Sequence, residues 1–113
     1  MGVKLIVVKG HSNCGAVGAA IHSVTGGNID SITQKIKPAV DKACLLNVQQ
    51  ALDNGKAFAE TVTHLNIENS VTAILESSDY IREQINKGEA GLVAAYYDTA
   101  SGEVIFNELT HPN

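Results

Sequence analysis

His11 and Cys14 stand three residues apart in the segment Gly10-His-Ser-Asn-Cys-Gly15. Neutral imidazole and thiolate are both zinc ligands, and a three-residue step across a turn can bring two such side chains to one metal. The same pair admits a nucleophilic cysteine with a histidine base. It also admits a purely structural reading, a buried cysteine beside a hydrogen-bonded histidine. Two phosphate-binding readings fail on their essential side chains. Gly10 to Gly15 fits G-x-x-x-x-G, but Ala16-Val17 stands where a P-loop needs Lys and then Ser or Thr. A C-x5-R phosphatase loop would need Arg at position 20, which is Ala20.

No other residue joins this pair from sequence. His22 follows Cys14 by eight residues, about 12 Å along a helix, too far for one metal. Cys44 lies in a helical apolar pattern and reads as a buried cysteine. His64 and His111 fall in a polar helix end and a tail and read as solvated. Asp98 follows an apolar run and starts a turn, a role that needs no catalysis. Tyr96 and Tyr97 alternate across a strand, so one of them belongs to the core.

The elements around the pair give an α/β pattern. Strands are expected at about 4–8, 91–97 and 103–107, with four or five helices between the first and second. The first strand is apolar on both faces, as in the interior of a parallel sheet. It ends at Gly10, and Ser12 or Asn13 can cap a helix starting near Cys14. Ala16, Val17, Ala20, Ile21 and Val24 give that helix an apolar face, and Gly26-Gly27 stops it. Pro38 interrupts the next helical stretch or opens another. Asn54-Gly55 divides the stretch from Ala39 to Leu65, and Ile67, Val71, Ile74 and Leu75 continue helical spacing to Ser77. Ser77, Ser78 or Asp79 caps a last helix that Gly88 ends. The second and third strands form a hairpin through Asp98 to Gly102. The first should then lie parallel to the second, across a helical crossover. This places His11 and Cys14 at the carboxyl end of a strand, where open α/β sheets bind ligands.

Composition narrows the functional classes. The 113 residues carry 44% hydrophobic and 18% charged residues, an ordinary globular balance over residues 1–113 as a single domain. A net charge of −4 with eight scattered Lys and Arg gives no footprint for nucleic acid or an anionic membrane surface. No apolar run reaches the roughly 20 residues of a membrane span, and none resembles a secretory signal. Two cysteines are too few for a disulfide scaffold, and the expected location is cytoplasmic.

The strand followed by GHSNCGAV and a small-residue helix resembles the second zinc-binding segment of the β-class carbonic anhydrases. NIENSVTAILESSDYIREQINKGEAGLVAAYYDTASGEVIF, residues 66–106, is similar to that family's closing helix pair, penultimate strand, Tyr-Asp turn and last strand. The stretch from about Leu45 to Leu65 is the least similar. The resemblance implies a remnant of the family's three-layer α/β sheet fold and zinc (Zn²⁺) as cofactor. It makes His11 and Cys14 metal ligands, with Gly15 and Ala16 as pocket backbone beside the metal. The implied reaction is reversible hydration of CO₂ to bicarbonate, on a zinc-bound water acidified to about 7, a figure that carbonic anhydrases themselves exemplify.

The likeness is to the C-terminal part of a family member. The family's first zinc Cys and its catalytic Asp–Arg pair belong to a Cys-x-Asp-Ser-Arg segment that does not occur in these 113 residues. The expectation is therefore a domain truncated at its N-terminus, with no catalytic residue of its own. Two zinc donors fall short of a catalytic site, so little or no CO₂ hydration is expected of the chain alone. The alternative is a non-catalytic product that binds zinc or oligomerises. Without the neighbouring family strand, the Leu5–Val8 strand becomes an apolar edge, and a homo-oligomer is expected to cover it. Two chains pooling His11 and Cys14 would make a closed, structural zinc site.

Overall fold

The computed structural model describes residues 5–46 and 54–108. The expected strand start at Lys4, the helical positions Val48, Ala51 and Leu52, and the tail with His111 lie outside the described residues. The elements run β1 (Leu5–His11), α1 (Gly15–Ile21), α2 (Ile29–Leu46), α3 (Gly55–Ser77), α4 (Asp79–Asn86), β2 (Gly91–Tyr97) and β3 (Val104–Glu108). The sheet order is β1-β2-β3. β1 and β2 are parallel, with Leu5 opposite Gly91 and His11 opposite Tyr97. β2 and β3 are antiparallel, with Val93 opposite Glu108 and Tyr97 opposite Val104. The expected crossover and hairpin are both present. None of the described helices is long and apolar enough to cross a membrane.

β1 is three residues longer at its carboxyl end than its apolar run, because pairing with β2 continues through Lys9, Gly10 and His11. Among the described residues it stands at the edge of the sheet, as expected, and its burial alternates, so one face is open where the apolar run suggested cover on both. Leu5 is 57% and Val7 44% exposed on that face, while Ile6 and Val8 pack inward.

α3 joins two hydrophobic clusters. Its first half sends Phe58, Val62 and Leu65 toward α1 and α2, where Val17, Ala20, Ile36, Ala39 and Ala43 are also buried. Its second half sends Ile67 and Val71 toward the sheet and α4, against Leu92, Ala94, Tyr96 and Ile85. Phe58 and Ile67 are nine residues apart, about two and a half turns, so the apolar stripe crosses to the opposite side of the helix. That switch lets one 23-residue helix serve both clusters.

Some local expectations hold and others change. Asn54-Gly55 begins α3, since the Asn54 side chain accepts the Ala57 N–H at 3.1 Å as an N-cap. α2 continues through Pro38 without a break, and Ala39 and Ala43 beyond it are fully buried. α1 ends at Ile21, because Ser23 takes a left-handed φ of 55°, and Val24 lies outside the helix. Cys44 is exposed. Ala43 takes the inward position, and Cys44 lies 100° further round α2. Ser78 caps α4 as expected, accepting the Ile81 N–H at 3.1 Å, and Gly88 follows the helix with φ 76°.

Gly10 marks the closest approach of β1 to α3. A Cβ there would lie 2.6 Å from Ile67 Cδ1 and 3.0 Å from Thr63 Cγ2. Gly10→Ala should therefore cost about 1–3 kcal/mol through overpacking, read as a lower urea midpoint. An unchanged midpoint would show that Ile67 moves aside freely.

Candidate functional site

The loop between β1 and α1 carries His11, Ser12, Asn13 and Cys14. Ser12 N–H donates to Tyr97 C=O at 2.9 Å, extending the β1–β2 contact one residue past His11. Asn13 then takes a left-handed φ of 56°, a conformation that Asn tolerates better than most residues. Cys14 is the N-cap of α1; its C=O accepts the Gly18 N–H at 3.1 Å, but its side chain makes no capping bond. The expected caps are otherwise engaged. Ser12 Oγ lies 2.8 Å from Thr99 Oγ1 and accepts the Thr99 N–H at 2.9 Å.

His11 closes β1 and is exposed, in register with Tyr97. Its Nδ1 lies 2.8 Å from Ser12 C=O. A carbonyl only accepts, so in this bond Nδ1 is the donor, which leaves Nε2 as the nitrogen available to a metal. Cys14 is half-buried and lines a cleft of about 480 Å³. Gly15 opens α1, and a Cβ built on it would face open space, clear of the rest of the fold. Ala16 packs against the α1–α2–α3 cluster.

The other wall of the cleft was not legible in the sequence. Lys56, Glu60 and Thr63 from α3 and Tyr96 from β2 line it opposite Ser12 and Cys14. Tyr96 is 6% exposed, and its buried Oη makes no well-formed hydrogen bond; the Ser12 side chain beside it exerts only the smallest, lowering influence on its pKa. Burial raises its pKa above the usual phenol value, and the negative charges of Glu60 and Asp98 add to the shift. His64 is exposed as expected, yet its ring stacks on Tyr96 with centroids 4.5 Å apart. An unpaired buried hydroxyl costs about 1–3 kcal/mol. Tyr96→Phe should thus raise the urea midpoint; a lower midpoint would mean that the phenol has a stabilising partner.

Asp98 is a turn residue, as expected. Its Oδ1 accepts the Ala100 N–H at 2.9 Å, and that bond leads the causes that lower its pKa. His22 is the exposed C-cap of α1. Among the described residues, no group of three or more His, Cys, Asp or Glu side chains is arranged to hold a metal ion. His11 and Cys14 suit zinc in the kind of donor, whereas a catalytic zinc takes three protein donors. The described residues fit that metal in type and not in number.

The family model for carbonic anhydrase matches residues 1–104. Carbonic anhydrase 2 of Mycobacterium tuberculosis is 27% identical, over 96% of this chain and 51% of that protein. The chain spans about half the length of the curated relatives it matches. Among solved structures, one of the tetrameric β-carbonic anhydrases of Sordaria macrospora superposes with a TM-score of 0.82 at 23% identity. The match covers 97% of this chain and 55% of that one. CafA of Aspergillus fumigatus gives 0.80 at 22% identity, over 97% and 51%. With a three-stranded mixed sheet and four helices among the described residues, and a family match over nearly its whole length, this chain belongs to the β-carbonic anhydrase family.

Proposed function

We propose that this chain supplies the His11–Cys14 part of a zinc centre for reversible CO₂ hydration and does not sustain that reaction alone. The observation that carries the reading is the donor count. His11 and Cys14 leave the same strand end, and no third donor joins them among the described residues. When bound, zinc supplies an acidified water and a Lewis acid for bicarbonate formation. The chain's own contributions are simpler. His11 presents Nε2 because Nδ1 is held by Ser12 C=O. Cys14 offers sulfur from the start of α1. Gly15 and Ala16 are the pocket backbone in this reading, and no residue of this chain is assigned a catalytic role.

The open face of β1, with Leu5 and Val7 exposed, favours a homo-oligomer. The tetrameric Sordaria macrospora enzymes lend support from the same fold. Stopped-flow CO₂ hydration tests the activity reading. The purified chain with added zinc should match its His11→Ala variant and the buffer blank. Enzymatic turnover that His11→Ala removes would overturn the proposal.

A further inference from the structure

We infer that Thr99 is a positioning residue that clamps the His11–Cys14 loop from the opposite turn of the sheet. The loop has little holding it from within. Asn13 is left-handed, and Cys14 makes no side-chain capping bond. Its restraints come instead from a turn more than eighty residues away. Ser12 Oγ and Thr99 Oγ1 share a 2.8 Å hydrogen bond. Thr99 N–H donates to Ser12 Oγ at 2.9 Å, and Asn13 Nδ2 donates to Thr99 Oγ1 at 3.3 Å. Each hydroxyl has one proton and two acceptor lone pairs, so all three bonds can be made at once.

The anchor is itself held. Gly102 N–H donates to Asp98 C=O at 2.8 Å, and Asp98 N–H donates to Glu103 C=O at 2.9 Å. Asp98 Oδ1 accepts the Ala100 N–H at 2.9 Å. The β2–β3 turn therefore acts as a fixed post, to which Ser12 and the left-handed Asn13 are both tied. Cys14 follows directly. The consequence for a metal rests on the function proposed above; the clamp itself does not, and it is tested without metal.

The two cysteines provide the readout. Cys14 lies next to the clamped residues, and exposed Cys44 lies on α2, away from the clamp. Iodoacetamide labelling of the chelator-treated chain, with mass-spectrometric rates for each cysteine, measures the local opening of the loop. Thr99→Val removes both Oγ1 bonds but keeps the backbone bond to Ser12 Oγ. Cys14 should then label about fivefold faster, the change that one net hydrogen bond commands. Cys44 should label at the same rate. Thr99→Ser should restore the slow rate, and Ser12→Ala should mimic Thr99→Val. An unchanged Cys14 rate in both Thr99→Val and Ser12→Ala would overturn the inference, as would equal acceleration in Thr99→Ser. Faster Cys14 labelling in a chain whose zinc affinity is the same in Cys14→Ser and Cys44→Ser would keep the clamp and sink the zinc reading.

Discussion

Leu92→Ala should destabilise the chain by about 2–5 kcal/mol, the usual range for emptying a leucine site in a closed core. Leu92 is 1% exposed on the central strand and packs in the cluster formed by α3, α4 and the sheet. A domain of this size has only about 5–15 kcal/mol of stability in all. With a urea m-value of roughly 1–3 kcal/mol/M, the midpoint should fall by about 1 M or more. Leu45→Ala is the control. Leu45 is 87% exposed on α2, and its loss should stay within about 0.5 kcal/mol. Equal shifts for the two variants would mean that the core lies elsewhere.

Cys14→Ser should lower zinc affinity at least about tenfold, read by competition with a chromophoric chelator. Even a residue that only supports a metal ligand is worth about 10–100-fold, and a direct sulfur donor is worth no less. Serine keeps the size and the N-cap position, so the folded chain should survive the change. Cys44→Ser should leave zinc affinity unchanged, because Cys44 faces solvent from α2. If the two serine variants bind zinc equally, Cys14 is not a donor.

The parts of the fold that periodicity encodes were legible. The strand pairing followed from a strand, a long helical crossover and a hairpin. That one of Tyr96 and Tyr97 is buried, and that Asp98 makes the turn, followed from alternation and turn chemistry; the structure shows that the buried one is Tyr96. Where sequence reasoning missed, a neighbour decided the outcome. The helical apolar pattern around Cys44 points to burial, but Ala43 takes the inward position, and one residue is a step of about 100° on a helix.

The site divides in the same way. His11 and Cys14 could be found because their types and spacing carry the chemistry within four residues. Tyr96, Lys56, Glu60 and Thr99 could not. Only the folded chain brings α3 and the β2–β3 turn against the loop, and none of these residues has a local signature. Nor does the sequence distinguish a strand covered on both faces from one with an open side. The apolar run of β1 is compatible with both, and in the structure Leu5 and Val7 lie on an open face while Ile6 and Val8 pack inward.

The most direct test is zinc per chain, by elemental analysis of protein purified with neither added zinc nor chelator, alongside its mass in solution. A chain holding two of the donors of a zinc centre should retain well below half an equivalent, whatever its oligomeric state. One tightly held zinc per chain would contradict that account by showing a complete site within these residues. One zinc per two chains would also contradict it, replacing half of a catalytic centre with a closed site shared between two copies of His11 and Cys14.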